Sequence, residues 1–266
     1  MKEEKKDVNL NLKSETIDKV VDKLAVPVYA DLAHKPFQSV GDMANTVISF
    51  VHNFLFFPMQ KYNIYAQDKL DKYGQELERR AKSVPEENLV QPRVNILGPT
   101  VDGLKYNLDE EYIKEMFTNI LISEIDDRKQ NKVLPAYIEI VKQLSKDDAQ
   151  LLKFFKDYYN RNYPIMKLKT KYTNEEGYIY ISNNVLLITD DTMTDEWINS
   201  VIIDNLLRLK LIDITFSEHV VNTEVYSNAF KKVGFSPMKD GEELDYAKGL
   251  LKITDFGQNF IEICLL

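Results

Sequence analysis

Apolar residues recur at helical spacing in the middle of the chain, and chain-breaking residues separate them into segments. Pro85, Pro92 and Pro99 each remove a backbone donor, so we expect an ordered connector over Ser83–Asp102 and not one helix. Asn107 is then predicted to cap a helix. The apolar side chains of that helix form one continuous stripe, which comprises Ile113, Met116, Phe117, Ile120 and Leu121.

Two further helices are predicted after this one. Pro135 stands where the first residue of a helix is favoured, and the residues that follow supply an apolar face. Ser145 and Asp148 have the serine-x-x-acid spacing that starts a helix through reciprocal hydrogen bonds. The apolar face of the third helix comprises Ala149, Leu152, Phe155 and Tyr158.

The N-terminal third is predicted to be helical as well. Residues 1–13 are charged and polar, which is typical of a flexible arm. Apolar side chains then crowd together at residues 47–57, whereas the segment Gln60–Lys82 keeps only a narrow apolar seam among its charges. An apolar helix followed after Pro58 by a charged one predicts an antiparallel hairpin that projects from the body.

The apolar run at residues 47–57 has three interpretations. It is shorter than the roughly 20 residues that span a bilayer, and His52 and Asn53 interrupt it, so we do not expect a spanning helix. A buried central helix, an interfacial helix that lies on a membrane, and a groove for a partner remain open.

Tyrosines and lysines interleave from Tyr158 to Tyr180. Rings beside cations are typical of proteins that bind single-stranded nucleic acid, and they are equally typical of a solvated strand or loop. The acidic net charge favours the second interpretation. Within this region, Tyr178–Ile181 is predicted to form a short strand after Gly177.

The last third has the outline of a winged helix. The predicted elements are a helix capped by Thr194, a strand at Leu211–Phe216, a helix at Thr223–Val233, a returning strand at Gly249–Ile253 and a terminal helix begun by Thr254. Acidic side chains on the helix that would enter a DNA groove argue against DNA binding. They are Asp195, Glu196 and Asp204.

Together these patterns predict a mainly α protein, in which an N-terminal helical bundle with a projecting helical hairpin precedes a C-terminal winged-helix-like α+β module. We expect a flexible arm over residues 1–13, the helical domain with its hairpin over residues 14–144, and the winged-helix-like module over residues 145–266.

Composition narrows the classes of function. The 266 residues are 44% hydrophobic and 29% charged, as in an ordinary globular protein, and the net charge of −8 is unfavourable for binding nucleic acid. The single cysteine, Cys264, cannot form an internal disulfide. Together with the lack of a secretory signal, this predicts a cytoplasmic protein, with a peripheral position at the inner face of the membrane as the alternative.

The candidate chemistry is sparse. Glu139 and Lys142, with Glu124, Asp126 and Asp127, could form a carboxylate–lysine site of a metal-dependent nuclease, but their spacing equally suits ion pairs on helix surfaces. The three histidines lack metal-ligand spacing, and no glycine-rich phosphate loop occurs. We therefore expect no catalytic residues, no cofactor, no metal and no small-molecule substrate, and Cys264 is predicted to be a core residue.

The same central region resembles a known family. The succession Pro85–Val90, Gly98-Pro99, Met116-Phe117 and Gln143–Ser145 is similar in order and spacing to the bacterial abortive-infection alpha family, which is also catalogued as a domain of unknown function. The similarity extends over most of the chain. Leu134 departs from the histidine that the family pattern would place there.

This resemblance implies an accessory or effector protein of phage defence that acts through protein–protein contacts and without catalysis. The alternatives are a membrane-perturbing effector that uses the apolar run, and a metal-dependent nuclease. The expected partner is a protein or a second copy of the chain, nucleic acid is not expected, and a membrane surface is a further option. The candidate interaction surface comprises Phe50, Phe54, Phe57, Tyr73, Asn119, Glu139 and Gln143.

Overall fold

The computed structural model describes residues 64–158, 162–172, 177–187, 200–232 and 242–265. The chain divides into two compact units, Met1–Glu139 and Ile140–Leu266. Three predicted features lie outside the described residues. They are the arm over residues 1–13, the apolar run that forms the first half of the predicted hairpin, and the Thr194 cap.

The described part of the first unit is built of helices. They are α1 (Ile64–Ala81), α2 (Val94–Lys105), α3 (Glu111–Glu124), α4 (Asp127–Gln130) and α5 (Pro135–Val141), with a 3-10 turn at Glu86–Asn88 between α1 and α2. The predicted apolar stripe of α3 is buried throughout, and Pro135 is the first residue of α5, as predicted. Both α1 and α2 pack against α3, which is therefore the central helix of the described part.

Two local predictions in this unit are wrong. Residues 83–102 do not form one helix, as predicted, but the connector ends at Arg93 and Pro99 lies inside α2. It deprives the carbonyl of Asn95 of its helical partner, and this residue is exposed, so water can satisfy that carbonyl. Asn107 does not cap the next helix. Its Nδ2 donates to the carbonyl of Gly103, 2.8 Å away, and so closes the end of α2, while α3 begins at Glu111.

The second unit combines helices with strands. After α5 the elements are α6 (Lys146–Tyr158), β1 (Asn162–Tyr172), β2 (Tyr178–Leu186), α7 (Ser200–Arg208), β3 (Ile212–Thr215), α8 (Glu224–Lys232), β4 (Glu242–Ile253) and α9 (Asp255–Cys264). The predicted start of α6 is confirmed. The amide and the hydroxyl of Ser145 donate to Asp148 Oδ2 over 2.7 and 2.8 Å, and the Asp148 amide donates back to the hydroxyl over 3.2 Å.

The predicted fold class, a mainly α protein with a winged-helix-like module, is wrong. The strands form one curled four-stranded antiparallel sheet in the order β2-β1-β4-β3, which resembles half of a barrel. A winged helix is built around its helices, with a small sheet beside them, whereas here β1 pairs with β4 from Asn162↔Lys252 to Tyr172↔Glu242. Two long central strands make the sheet, and not a helix, the centre of this unit.

Different helices cover the two faces of the sheet, because neighbouring residues of a strand point to opposite faces. On one face Tyr163 and Ile165 are buried, and the Tyr163 ring lies 4.7 Å from that of Phe155 on α6. On the other face Met166 and Leu168 belong to a core under α8 that includes Tyr226. Further along β1, the residues on the first face are Lys167, Lys169 and Lys171, which are not buried.

Gly257 sits where α9 meets the end of α7 and the start of β3. The predicted cap is confirmed, because the Gly257 amide donates to Thr254 Oγ1 over 2.9 Å. The amide of Thr254 in turn donates to the carbonyl oxygen of Leu211 over 3.1 Å. A Cβ added at Gly257 would overlap that carbonyl group, so only glycine allows α9 to approach so closely.

We expect Gly257→Ala to lower the free energy of unfolding by at least about 2 kcal/mol, because the backbone of Leu211 must move to admit the methyl group. Gly74→Ala is the control. A Cβ at Gly74 meets nothing within 4 Å and lies inside α1, so helix propensity should raise stability by up to about 1 kcal/mol. Urea unfolding followed by circular dichroism measures both. A Gly257→Ala protein as stable as the parent would contradict the close approach.

Candidate functional site

Two residues of the predicted interaction surface, Tyr73 and Asn119, lie inside the first unit and not on its surface. Tyr73 is only 4% exposed and Asn119 only 1%. The Tyr73 hydroxyl is 3.0 Å from Thr118 Oγ1, and Arg80 on α1 donates to Asn119 Oδ1 over 2.8 Å. Burial raises the pKa of Tyr73, so the phenol stays neutral. Both side chains therefore join α1 to α3.

Of the other predicted surface residues, the structure describes only Glu139 and Gln143. Phe50, Phe54 and Phe57 lie outside the described residues. Glu139 and Gln143 are exposed. Gln143 is held within the second unit, where its Oε1 accepts from Arg208 over 2.9 Å and its carbonyl accepts from Asn205 over 3.2 Å.

The carboxylate of Glu124 is the centre of a buried polar network. It is fully buried at the end of α3. Arg93 donates to it from the backbone amide, from Nε and from Nη2, each over 2.8 Å. The same Nη2 also donates to the carbonyls of Gln130 and Val133 over 2.8 and 2.9 Å. The side-chain hydrogen bonds to Glu124, together with its negative charge, raise the pKa of Arg93 above its ordinary value, although partial burial acts to lower it. The ion pair joins the connector before α2 to the end of α3.

Asp126 continues this junction. It accepts from the Arg128 amide over 3.1 Å, which caps α4, and from Arg128 Nε and Nη2 over 2.8 and 2.6 Å. The side-chain hydrogen bonds from Arg128 lower the pKa of Asp126. The backbone is tied at the same place, because the Val90 amide donates to the carbonyl of Ile125 over 3.0 Å.

This arrangement does not build the carboxylate–lysine site considered from the sequence. Glu124 and Asp126 are each occupied by an arginine, and Asp127 accepts from Asn88 over 2.9 Å. In the part of the chain that the structure describes, no three acidic, histidine or cysteine side chains come together as metal ligands. Burial raises the pKa of the Cys264 thiol, which is fully enclosed, so it is a core residue and not an activated nucleophile.

A different surface stands out on the sheet. Lys167, Lys169 and Lys171 alternate along β1, and Tyr178 and Tyr180 of β2 lie on the same side, because Lys169 pairs with Tyr180 and Lys171 with Tyr178. We call these five residues the lysine–tyrosine face. The tyrosines are 52% and 44% exposed.

Contacts within the lysine–tyrosine face hold its side chains in place. Lys169 Nζ lies 5.0 Å from the centre of the Tyr178 ring, and Lys167 Nζ lies 5.4 Å from that of Tyr180. The two rings meet edge to face with centres 5.1 Å apart. Lys167 also lies over Phe216, 4.1 Å from the ring centre. The rings are therefore presented to solvent in a defined arrangement.

One carboxylate balances part of the charge on this face. Asp245 of β4 lies 3.1 Å from Lys169 Nζ and 3.0 Å from Lys171 Nζ. Burial acts to raise the pKa of Asp245, but hydrogen bonds from Lys171, from the Tyr246 amide and from Lys169 outweigh it, and the net shift is downward. The hydrogen bond from the Tyr180 hydroxyl to that of Tyr178, 3.4 Å long, raises the pKa of Tyr180.

The interleaved tyrosines and lysines are visible in the sequence, but the predicted interaction surface does not include them. The signal that identifies them is the alternation along residues 163–171. Every second position there is first a buried residue, Tyr163 or Ile165, and then a lysine. This period indicates a strand that leaves the core partway along its length. The predicted short strand at Tyr178–Ile181 is confirmed and extends to Leu186.

We expect Glu124→Gln to lower the free energy of unfolding by about 3 kcal/mol. Breaking a buried ion pair costs roughly 3–5 kcal/mol, and the cost is reduced here because the Arg93 side chain is 40% exposed. The control is Glu111→Gln at the other end of α3. Its side chain is 73% exposed beside Lys114, so the change should be within about 0.5 kcal/mol. Urea unfolding at neutral pH measures both, and equal effects would contradict the role of the network.

Asp126 should make the first unit sensitive to acid. Because its pKa is lower in the folded protein than in the unfolded chain, its contribution is complete above the unfolded value of about 3.9 and is lost as the pH falls through the folded value. Asn keeps the cap of α4 but removes the charge. In urea unfolding from pH 6 to about pH 2.5, Asp126→Asn should therefore lose less stability than the parent protein. If the free energies of unfolding of the two proteins fall equally with pH, Asp126 does not contribute to the acid sensitivity.

Comparison with known proteins gives one result. The sequence model described as abortive infection alpha matches residues 65–264, about three quarters of the chain. No curated protein and no solved structure gives a significant match. Among the described residues, no helix combines the length and the apolar character needed to cross a bilayer. The match covers both units, and the chain therefore belongs to the abortive infection alpha family.

Proposed function

We propose that this chain acts in phage defence by binding a protein partner through β2 and the lysine–tyrosine face, and not by catalysis. Membership of the family indicates a role in abortive infection. The binding mechanism is our inference from the distribution of exposed and buried side chains.

The observation that carries the proposal is a run of large exposed side chains on β2. Tyr178, Ile179 and Tyr180 are 52%, 56% and 44% exposed in succession. The other large hydrophobic side chains that the structure shows as exposed, such as Tyr106 and Val221, are separated along the chain. Single exposed apolar residues are ordinary, whereas a contiguous group is typical of an interaction site.

The chemistry of this group also favours binding. Tyrosine supplies a large contact area with little loss of side-chain freedom, and it is enriched among residues that dominate binding energy. Here the rings are already positioned by Lys167 and Lys169, so less conformational entropy is lost when a partner arrives. The lysines would also favour a partner segment with acidic residues at its margin.

The buried carboxylates support the same reading. Glu124 and Asp126 are each occupied by an arginine, and Asp148 accepts from Ser145 and from Asn205. A general base or a metal ligand needs an oxygen that substrate or metal can reach. These three carboxylates serve the junctions between elements.

Replacing both rings tests the proposal. We expect Tyr178→Ser with Tyr180→Ser to lower phage restriction by roughly tenfold or more, because loss of about 1.4 kcal/mol of binding energy corresponds to a tenfold weaker complex. The measurement is the efficiency of plating on cells that carry the parent or the variant gene at equal protein level.

Tyr106→Ser is the matched control. Tyr106 is 75% exposed, and Lys105 lies over its ring at 5.3 Å, so it has the same chemistry on the first unit. Its loss should leave restriction unchanged. Full restriction by the double variant, or a turnover by the purified parent protein that the double variant retains, would refute the proposal.

A further inference from the structure

We propose that two copies of this chain associate by antiparallel pairing of their β2 strands, with Tyr178-Ile179-Tyr180 of one copy against the same residues of the other. The twofold axis passes beside Ile179. This inference rests on the proposed function, because both use the exposed strand β2. It identifies the protein partner as a second copy of this chain.

β2 is an edge strand. In the sheet it is hydrogen-bonded to β1 on one side, and no other described strand pairs with it on the second side. Residues 177–180 are all exposed, including residues that point to opposite faces. Ile179 is 56% exposed on one face, and Tyr178 and Tyr180 are exposed on the other. Within the described residues, the start of β2 therefore has one edge without a strand partner and two exposed faces.

The composition of β2 does not protect this edge. Proteins usually discourage pairing at an exposed edge with lysine, proline or an inward-pointing charge. The strand Tyr-Ile-Tyr-Ile-Ser-Asn-Asn-Val-Leu over Tyr178–Leu186 contains no charged residue and no proline. The nearest lysines lie one strand back on β1, where Asp245 contacts two of them.

The free edge is short, and this limits what can pair with it. Val185 and Leu186 are buried, and α7 lies beside this end of β2, where Asn184 donates to Asp204 over 2.7 Å. Asn184 has a positive φ of 58°, and the pairing of β2 with β1 changes register between Met166 and Lys169. These irregularities confine regular pairing to the first residues of β2. Because both copies would use the same edge, the contact closes after two copies and does not extend into a filament.

The sequence of this edge is self-complementary. Tyr178-Ile179-Tyr180 reads the same in both directions, so antiparallel pairing about Ile179 places each tyrosine opposite a tyrosine and Ile179 opposite its own copy. Aromatic cross-strand pairs stabilise sheets, and no charge of one strand faces a like charge of the other. The side chains of Tyr178-Ile179-Tyr180 therefore suit pairing with a second copy.

The contact is small beside the roughly 1,600 Å² of a standard interface, so we expect a weak and concentration-dependent dimer. Sedimentation velocity of the full chain over a concentration series should show a mass that rises from 31.0 kDa toward twice that value. Ile179→Lys and Ile179→Glu should each remain monomeric, because each places like charges across the axis. An equimolar mixture of the two variants should recover the dimer.

A matched control and a second measurement keep the test independent of folding. Val221 is fully exposed in the same unit, so Val221→Lys should leave the dimer unchanged. Ile179→Cys should form a disulfide-linked dimer on mild oxidation, while the buried Cys264 does not react. All variants should match the circular dichroism of the parent, because Ile179 is mostly exposed.

The outcomes separate this inference from the proposed function. Recovery of the dimer only in the mixture of opposite charges supports pairing of two copies. A parent that stays monomeric at every concentration, or a dimer that persists in Ile179→Lys, overturns it. If the parent is monomeric and the double tyrosine variant still loses phage restriction, the partner is a different protein and the proposed function stands. Binding of single-stranded nucleic acid by the monomeric parent would also overturn the pairing.

Discussion

The pairing of β1 with β4 is the interaction on which the second unit depends. It runs the whole length of β1, from Asn162↔Lys252 to Tyr172↔Glu242, and so determines which side of the sheet every residue of both strands occupies. Because the pleat has a period of two, this register sends Tyr163 and Ile165 toward α6 and Met166 and Leu168 toward α8. The same register brings the later lysines of β1 to the side of Asp245. The pairing of β1 with β2 then brings these lysines beside the exposed tyrosines.

The first unit depends on a different constraint, the need to neutralise a buried carboxylate. Glu124 is enclosed at the end of α3, and a buried charge without partners would be very unfavourable. Arg93 donates hydrogen bonds to this carboxylate and also to the carbonyls of Gln130 and Val133. These bonds hold the proline-containing connector before α2 against the segment that follows α4. The buried carboxylate of this unit thus has a structural role.

Much of the helical structure could be predicted because its causes are local. Apolar side chains at i, i+3 and i+4 identified α3, and the Ser145–Asp148 and Thr254 caps are confirmed, since each needs only residues within one turn. Pro99 and Asn107 show where the local pattern is ambiguous. A proline can lie inside a helix, and an asparagine can close the helix before it as readily as it can cap the helix after it.

The sequence by itself determined the family, the helical pattern of the described first unit and the alternation along residues 163–171. Only the tertiary structure decided that this alternation belongs to a long central strand of a curled sheet, because strand pairing joins residues far apart in the chain, such as Tyr163 and Leu251, which are 88 positions apart. It also decided that Tyr73 and Asn119 are interior and that Tyr178 and Tyr180 are exposed. Residue type does not distinguish these tyrosines, since burial is set by which element packs over each of them.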